Sequence, residues 1–403
     1  MRFSKHETEN HMFFTQNEVN SLADVATPAV LLDRARLESN CSRMLGRMSS
    51  LDVALRPHMK TAKSTDVAHI ACGNKYGPIT VSTLNEALWF ARQGFQDLLY
   101  AVGFSPAKLN MALEVLGTGA ALSLITDNEP VAAEMGSQFH ASGHEVAVLI
   151  ELDCGHGRGG VLPESRELLH IAKQLDDSPG TRLAGVLTHA GHSYNCSSLQ
   201  EIIAVAEEER VTAVTAARRL REAGRSCAVI SVGSTPTARH AQSLEGVTEM
   251  RPGVYQFGDL AQVCLGSCRF EDIAISVLTT VIGHNRHSGV ILVDAGGLAL
   301  SRDQSSSLYR DDLGYGVLCE ESGELIAPLA CIGRLEQEHG FIDVKNHAGF
   351  FDRFPIGSRL RVLPNHACMT AAAYPGYWVI GESSEARPDY WPRCNGWQPT
   401  TSA

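Results

Sequence analysis

The stretch Val53-Ala54-Leu55-Arg56-Pro57-His58-Met59-Lys60 decides the fold, because it shows how the first strand of a repeating α/β pattern ends. A short apolar run is followed directly by polar and charged side chains, with no glycine between them. A doubly wound open sheet that binds a dinucleotide needs a glycine-rich turn after its first strand. The stretch therefore favours a closed barrel, which carries its chemistry at the carboxyl ends of the strands.

The same kind of apolar run recurs along the first two thirds of the chain. Eight runs are predicted strands: Val53–Arg56, Ile79–Ser82, Leu98–Val102, Ala121–Ile125, Val146–Leu152, Leu183–Thr188, Ala228–Val232 and Val247–Met250. Between most of them lie segments of helical character, among them Leu84–Gln93, Glu164–Leu175 and Ala204–Ala223. Apolar strands that alternate with helices indicate a parallel sheet, and eight units predict a (β/α)8 barrel of the TIM type. Within the last helix, the charged run from Glu207 to Arg210 is predicted to be a solvated face.

After about Cys268 the rhythm changes. Four further apolar runs are joined by turns rich in Gly, Asp and Asn, without helices between them: Ile273–Ile282, Gly289–Val293, Leu325–Ile332 and Leu360–Leu363. This pattern is typical of antiparallel strands. Another β-like run, Thr27–Asp33, precedes the barrel. The sequence therefore predicts an α/β barrel over residues 28–268 and a mostly antiparallel β domain over 269–403, which residues 1–27 are expected to join.

Charge and composition exclude several classes of partner. The chain of 403 residues has a formal net charge of −11 and no lysine- or arginine-rich run, so we expect neither nucleic acid nor a membrane surface as a partner. The first residues carry His6, Glu7, Glu9 and His11 where a signal peptide needs an apolar core. Eleven scattered cysteines without a C-x-x-C pair are typical of reduced thiols. We therefore expect a cytoplasmic protein.

Polar side chains follow the predicted strands at the end where a barrel carries its active site. His58 and Lys60 follow the first strand, His189 and Tyr194 follow the sixth, and the turn Gly233-Ser234-Thr235 follows the seventh. Backbone N–H groups and hydroxyls in such a turn can bind a phosphate, although the same residues could simply cap a helix. If the extended backbone continues, His58 and Lys60 point to one face, and a nearby imidazole in a desolvated pocket favours an amine that can form a Schiff base.

A second candidate site lies in the predicted β domain, in Pro364-Asn365-His366-Ala367-Cys368. In a strand the side chains of His366 and Cys368 point the same way, so an imidazole nitrogen and a thiolate can share one cation. An isolated H-x-C is more often a half-exposed histidine beside a buried cysteine that packs as a small apolar residue. Spacing alone therefore leaves both interpretations open.

Four segments carry a resemblance to a known family: Arg56-Pro57-His58-Met59-Lys60-Thr61, Leu187-Thr188-His189-Ala190-Gly191, Ser231-Val232-Gly233-Ser234-Thr235-Pro236-Thr237 and Arg251-Pro252-Gly253-Val254-Tyr255. In this order they resemble the D-serine dehydratase / D-threonine aldolase family. Its members combine an alanine-racemase-like barrel, which binds pyridoxal 5'-phosphate (PLP), with a β domain. The likeness extends from about Thr27 to Thr370 and implies the same two-domain fold.

The resemblance also implies roles for individual residues. Lys60 would carry PLP through a Schiff base and serve as the base for the α-proton, and His58 would be the base for the hydroxyl proton if the reaction were retro-aldol cleavage. Besides Lys60, the residues implied in binding PLP are Arg158, His189, Tyr194, Ser234, Thr235, Gly253 and Tyr255. The hydroxyls and backbone N–H groups among them would bind the phosphate, whereas His189 and Tyr194 would lie along the ring.

His366 and Cys368 match the metal motif of the family, which reverses the ordinary interpretation of an isolated H-x-C. A thiolate favours Zn2+ over harder ions, with Mn2+ as the alternative, and two protein ligands leave positions for water and substrate. The implied activity is that of a lyase acting on a small D-amino acid. It would eliminate water and ammonia from a D-configured 3-hydroxy amino acid, such as D-serine or D-threo-3-hydroxyaspartate, to give a 2-oxo acid.

Retro-aldol cleavage of the D-threonine aldolase type, which gives glycine and an aldehyde, is the main alternative. The pair of ligands favours elimination, since aldolases of this family tend to have a carboxylate where Cys368 stands. A racemase would need a second base opposite Lys60, and no motif identifies one; a non-catalytic PLP-binding protein would be a barrel without a β domain. Active sites in the family lie between barrel and β domain of different subunits, so we expect a homodimer in which His366 serves its own Lys60 or the partner subunit's Lys60.

Overall fold

The computed structural model describes residues 19–345, 347, 349–381 and 387–397. Strand β1 (Ala29–Asp33) leads through helix α1 (Arg34–Ser50) into a ring of eight strands. These strands are β2 (Ala54–Leu55), β3 (Ile79–Val81), β4 (Asp97–Tyr100), β5 (Ala121–Thr126), β6 (Val146–Leu152), β7 (Thr181–Thr188), β8 (Val229–Val232) and β9 (Glu249–Met250). Neighbouring strands of the ring run parallel.

The ring closes between its first two strands. His58, just beyond β2, forms a parallel bridge with Thr80 in β3. The Met59 N–H donates to the Thr80 carbonyl at 2.8 Å, and the Thr80 N–H donates to the Pro57 carbonyl at 2.9 Å. Each of the eight predicted runs overlaps one strand of the ring, so the predicted barrel is confirmed.

A helix follows each strand of the barrel. The helices are α2 (Thr65–Ala71), α3 (Leu84–Arg92), α4 (Leu109–Gly117), α5 (Glu129–Ala141), α6 (Arg166–Asp177), α7 (Leu199–Glu222), α8 (Thr235–His240) and α9 (Leu260–Cys264). Several begin where the sequence places a capping side chain: Thr83, Ser165 and Ser198 each accept a hydrogen bond from a backbone N–H in the first turn of α3, α6 and α7. Such caps satisfy N–H groups that have no partner within the helix, and they fix the point where each loop ends.

Apolar side chains fill the interior of the ring. Leu99, Ile125, Leu149, Ala184 and Leu187 come from four neighbouring strands and form one buried cluster. The next residues along these strands, such as Leu98 and Ile150, belong instead to the larger core that the helices cover. The barrel is therefore packed rather than hollow, and space for chemistry remains only at its mouth.

A second sheet has nine strands and includes β1. Its other strands are β10 (Ile275–Asn285), β11 (Val290–Val293), β12 (Val317–Glu320), β13 (Arg334–Leu335), β14 (Gly340–Asp343), β15 (Arg359–Leu363), β16 (Gly376–Ile380) and β17 (Asp389–Pro392). The order is β13-β14-β11-β10-β1-β16-β17, and β15 pairs with both β10 and β12. Short helices α10 (Gly297–Leu300), α11 (Phe350–Arg353) and α12 (Ala367–Ala371) join the strands. All pairings are antiparallel except that of β1 with β16, so the predicted second domain is confirmed as mostly antiparallel.

Two details of the predicted division differ from the structure. The predicted barrel range begins at residue 28, but β1 pairs with β10 and β16 in the second sheet. The predicted strand Leu325–Ile332 forms only isolated bridges, of Leu325 with Cys319 and of Cys331 with Val317. Pro328 lies within this segment and has no N–H to donate to a ladder, which explains the interruption.

The segment before β1 packs on the second sheet as far as the structure describes it. Arg359 in β15 donates to the carbonyls of Leu22 and Ala23 at 2.7 and 2.8 Å. Residues 1–18 lie outside the described part of the chain. The predicted domain boundary at residues 268 and 269 falls between the end of α9 at Cys264 and the start of β10 at Ile275, and it stays a prediction.

The cysteines and the helices can be compared with what the composition predicts. All eleven cysteines are free thiols. In the part of the chain that the structure describes, no helix combines the length and the apolar character needed to cross a membrane.

Candidate functional site

A cavity of about 360 Å3 opens at the carboxyl ends of the barrel strands, where the barrel meets loops of the second sheet. Eight of the eleven residues selected from the sequence line it: His58, Lys60, His189, Tyr194, Ser234, Gly253, His366 and Cys368. The barrel residues and the H-x-C pair therefore meet within one chain. His366 shares this cavity with its own Lys60.

His58 and Lys60 lie in the turn that follows β2. The Lys60 N–H donates to Nδ1 of His58 at 3.3 Å. This hydrogen bond holds the His58 imidazole against the backbone of Lys60. Burial lowers the pKa of His58 well below its ordinary value of 6.5, and the positive charges of Lys60 and Arg251 lower it further. The imidazole is therefore neutral at neutral pH.

His189 and Tyr194 follow β7 on the opposite wall. Nδ1–H of His189 donates to the Gly233 carbonyl at 2.7 Å, which leaves Nε2 as the free nitrogen. Burial, together with the charge of Lys60, lowers the pKa of His189 to about 3. The Tyr194 hydroxyl accepts a hydrogen bond from the Thr235 N–H at 3.4 Å, and burial raises the pKa of this tyrosine, which keeps its proton.

The turn after β8 combines a helix cap with close backbone packing. The Ser234 hydroxyl accepts from the Thr237 N–H at 3.2 Å, so the predicted capping role of Ser234 is present. Gly233 has φ of +136°, and a Cβ there would lie 2.6 Å from the Arg251 nitrogen; a Cβ on Gly253 would lie 2.9 Å from the His58 carbonyl oxygen. Only glycine fits at these two positions, and the turn presents bare backbone to the cavity.

Three selected residues lie outside the wall of this cavity. Thr235 and Tyr255 line a smaller neighbouring cavity. The Tyr255 N–H donates to Oγ1 of Thr235 at 3.3 Å, and the Tyr255 hydroxyl is buried without a hydrogen-bond partner among the described residues. Arg158 lines an adjoining cavity of about 110 Å3 that also contacts Lys60 and His189. Its side chain is 53% exposed and pairs with Glu151 at 3.1 Å, so it lies at the rim.

The H-x-C pair does not lie in a strand. β15 ends at Leu363, His366 stands at the N-cap position of α12 without a capping side-chain hydrogen bond, and Cys368 lies in the first turn of that helix. The expectation that strand geometry aligns the two side chains is therefore wrong, yet both of them line the same cavity. Cys368 Sγ also lies 3.1 Å from Oγ1 of Thr61, directly after Lys60.

The surroundings of the pair hold His366 in place. Nδ1 of His366 donates to Oδ2 of Asp303 at 2.8 Å, which fixes the ring. Burial alone would lower the pKa of His366, but the hydrogen bond to Asp303 and the nearby negative charge of Cys368 raise it to about 11. Burial would raise the pKa of Cys368, but the positive charges of His366 and Lys60 outweigh this and lower it. The thiolate, which is the form that binds metals, is thus favoured at Cys368.

Sequence reasoning missed several residues that shape the site. Glu209 lies within the run predicted to be a solvated helix face, yet it is 1% exposed, and its Oε1 accepts from the Ala190 N–H at 2.8 Å and the Gly233 N–H at 3.0 Å. The prediction holds for Glu207 and Glu208, which are exposed, whereas Arg210 is half-buried and pairs with Glu207. Glu209 is wrongly predicted because only the packing of α7 against the loops after β7 and β8 buries it.

Sequence reasoning also missed the roles of Arg251 and Asp259. Arg251 is buried and lines the cavity; it donates to the Thr188 carbonyl at 2.7 Å and to the Ser231 hydroxyl. Asp259 lines the cavity as well, and its Oδ2 accepts from the Ala367 N–H at 2.9 Å, so it joins α9 to α12. Arg251 stands in a segment that the sequence singled out, but Asp259 carries no local signal.

Two family models match the chain. The model of the alanine racemase N-terminal domain matches residues 32–261, and the model of the serine dehydratase domain matches residues 274–380. The first match corresponds to the barrel, and the second corresponds to the second sheet.

Curated relatives match nearly the whole chain. D-threo-3-hydroxyaspartate dehydratase from Delftia sp. (strain HT23) is 43% identical over 94% of this chain and 100% of that protein. D-serine dehydratase from Dictyostelium discoideum is 32% identical over 92% of this chain and 97% of that protein. D-threonine aldolase from Arthrobacter sp. is 30% identical over 89% of this chain and 90% of that protein.

Solved structures show the same fold. A Cys-to-Ala variant of D-threo-3-hydroxyaspartate dehydratase, described as the metal-free form, superposes with a TM-score of 0.90 at 42% identity, over 94% of this chain and 100% of that one. A His-to-Ala variant of the same enzyme gives the same TM-score and identity over 98% of its length. The histidine changed in one variant and the cysteine changed in the other lie two positions apart in that protein, which is the spacing of His366 and Cys368 here.

Proposed function

Since this chain belongs to the family whose members join an alanine racemase N-terminal domain to a serine dehydratase domain, we propose that it is a PLP- and metal-dependent lyase. Its substrate is a D-configured 3-hydroxy amino acid of the D-threo-3-hydroxyaspartate or D-serine type, from which it eliminates water and ammonia to give a 2-oxo acid. The observation that carries this proposal is the single cavity in which Lys60 faces the pair His366 and Cys368.

The residues around Lys60 fit PLP. The cofactor is anionic, and the cavity contains Lys60 and the buried Arg251. A phosphate would lie against Ser234, Thr235 and the backbone at Gly253, where a side chain would collide with neighbouring backbone. The ring would lie along His189 and Tyr194, with Arg158 at the rim. Neutral His189 and protonated Tyr194 suit contacts with a ring better than two further charges would.

The residues around Cys368 fit a divalent cation. A histidine ligand commonly donates its other ring N–H to a carboxylate, which orients the ring and increases its basicity, and Asp303 does this for His366. Within the described residues, no three His, Cys, Asp or Glu side chains are grouped so as to hold a metal ion. A pair of protein ligands with open positions is what a Lewis acid needs in order to contact substrate. We propose Zn2+ as the ion because one ligand is a thiolate, with Mn2+ as the alternative.

The chain's own groups would divide the work of elimination. When bound, PLP would store the electron pair left at the substrate α-carbon, and a cation on His366 and Cys368 would stabilise the departing β-hydroxyl. Lys60 would take the α-proton through Nζ. We propose His58, in the same turn, as the second group for proton transfer, and Asp303 keeps the His366 ring in one orientation.

Retro-aldol cleavage is the weaker candidate. The relatives with the higher identities, 43% and 32%, are named dehydratases, whereas the aldolase relative is 30% identical. The thiolate ligand gives a second argument for elimination.

The proposal is tested by supplying D-threo-3-hydroxyaspartate, D-serine and D-threonine separately and measuring three products. A 2-oxo acid with ammonia is expected; glycine with an aldehyde would mean the aldolase reaction, and an inverted amino acid would mean racemisation. Borohydride reduction of the PLP-loaded protein should label Lys60. Lys63 is an internal control because its ammonium pairs with Glu86 at 2.9 Å, and a label there, or no uptake of PLP, would defeat the proposal.

We further propose that the protein is a homodimer, as the family resemblance implies. The catalytic groups of one chain already meet in one cavity, so the partner would close the cavity rather than supply the H-x-C pair. Light scattering of the active protein should give twice the mass of 43.5 kDa. A fully active monomer would contradict the dimer.

A further inference from the structure

The loop that carries Lys60 is hydrogen-bonded from the C-terminal part of the second sheet. The Arg393 guanidinium donates to the Thr61 carbonyl at 3.3 Å. The Tyr377 hydroxyl donates to the Ala62 carbonyl at 2.6 Å. Two successive peptide groups after Lys60 are thus held by side chains from outside the barrel.

The third peptide group is held in the same way. The Cys394 N–H donates to the Lys63 carbonyl at 2.8 Å. Lys63 has φ of +47°, a conformation that a side chain-bearing residue rarely adopts and that persists only where neighbours hold it. Its ammonium is also fixed, by Glu86, whose side chain is fully buried. Residues 60–63, the Lys60 loop, therefore have little freedom.

The groups that hold the loop are themselves buried and joined. Tyr377 is 0% exposed and Arg393 is 7% exposed. Nε of Arg393 donates to the Tyr377 hydroxyl at 3.0 Å, and the guanidinium also donates to the Asn395 side chain. The Tyr377 hydroxyl thus accepts one hydrogen bond and donates another. We call Tyr377, Arg393 and Cys394 the C-terminal clamp.

The Lys60 loop lies between this clamp and the H-x-C pair. Thr61 shows this directly: its carbonyl accepts from Arg393, while its hydroxyl lies 3.1 Å from Cys368 Sγ. Tyr377 and Arg393 are not among the described residues that line the cavity. Their hydrogen bonds reach the cavity through the backbone of the loop.

We propose that Tyr377 and Arg393 are positioning residues, which hold the backbone after Lys60 so that its amine meets PLP in one orientation. This inference rests on the proposed function, in which Lys60 carries the cofactor. Tyr377 and Arg393, at the end of the second sheet, would thus contribute to the chemistry of the barrel in addition to the H-x-C pair.

The test compares Tyr377 in β16 with Tyr374, which lies shortly before that strand. Tyr377→Phe removes the hydroxyl that donates to Ala62, and Tyr374→Phe removes a hydroxyl that donates to the Ala299 carbonyl at 3.0 Å, away from the loop. Loss of a buried hydrogen bond should weaken PLP binding on the order of fivefold in Tyr377→Phe. The visible circular dichroism of bound PLP should change, and the amides of residues 60–63 should exchange faster by mass spectrometry. Tyr374→Phe should leave all three as in the wild type.

A second pair of variants tests Arg393. Arg393→Met removes the donors to Thr61 and to Tyr377, and Arg219→Met is its control, because Arg219 donates to the carbonyls of Pro163 and Ser165. Arg393→Met should reproduce the dichroism and exchange changes, while Arg219→Met should not.

The two hypotheses fail in different ways. A wild-type protein that takes up no PLP on Lys60 defeats the proposed function and this inference with it. A wild-type protein that is labelled on Lys60, with dichroism and loop exchange unchanged in both clamp variants, defeats the positioning role alone. Equal changes in the clamp variants and in their controls would show a general loss of stability and would also overturn it.

Discussion

Replacement of Glu209 by alanine is the sharpest test of how the cavity is held together. The Glu209 carboxylate is buried and accepts two backbone hydrogen bonds, from Ala190 after β7 and from Gly233 after β8. A hydrogen bond to a charged group contributes about 1.5–3 kcal/mol, so the loss of two should cost about 3–6 kcal/mol. The Gly233 carbonyl also accepts the hydrogen bond of His189, so this ring should lose its fixed orientation.

The expected shift in melting temperature follows from chain length. Unfolding entropy is about 2.1 cal/mol/K per residue, so in a chain of 403 residues each kcal/mol lowers the midpoint by about 1.2 °C. Glu209→Ala should therefore lower it by about 4–7 °C. Scanning calorimetry measures this shift, and titration of the cofactor-free protein with PLP measures the accompanying loss of affinity.

Glu208→Ala is the matched control, because Glu208 is the preceding residue of the same helix and is exposed. It should change the midpoint by less than about 1 °C, as surface substitutions do. Glu209→Gln should lose less than Glu209→Ala, since burial raises the pKa of Glu209 and the amide oxygen can still accept. If Glu209→Ala and Glu208→Ala melt at the same temperature, the two backbone hydrogen bonds do not hold the cavity together.

Three further predictions concern the metal pair and the histidines. Cys368→Ala should retain the visible absorbance of bound PLP but lower the elimination rate on the order of 10²-fold, as chelation of the wild type by EDTA should; normal turnover after exhaustive chelation would contradict the metal site. Asp303→Asn should weaken Zn2+ binding roughly 10- to 100-fold in competition with a chromophoric chelator, whereas Asp312→Asn, at an exposed position, should not. The pKa of His189 is about 3 in the folded chain and about 6.5 in the unfolded chain, so the free energy of unfolding decreases as pH falls from 6.5 toward 3. His189→Asn should remove about 1.4 kcal/mol per pH unit of this dependence, as measured by urea unfolding of the cofactor-free protein at several pH values.

The barrel was predictable because its signals are local. Apolar runs such as Val146–Leu152, which matches β6 residue for residue, need only their own composition to be recognised. Polar residues at the strand ends, His58 and Lys60 among them, follow from the general position of active sites in this architecture. The resemblance supplied their expected roles.

The remaining parts of the site depend on contacts that sequence spacing does not show. Asp303 lies 63 positions before His366, and only the loop after α10 brings the two together. His366 and Cys368 line one cavity, but the start of a short helix rather than a strand sets their geometry. Glu209 stands among charged neighbours that are exposed, and nothing in its local sequence separates it from them.

The closure of the barrel has a consequence for how the protein loses activity. β6 and β7 pair along seven residues, but β2 pairs with β9 over two residues and reaches β3 through the bridge of His58 with Thr80. Regions with few hydrogen bonds open first under thermal stress. The contact between β2 and β3 is therefore the least paired part of the ring, and Lys60 lies two residues from it. Under the proposed function PLP would be bound beside this contact, so we expect loss of the cofactor to make the barrel open more readily.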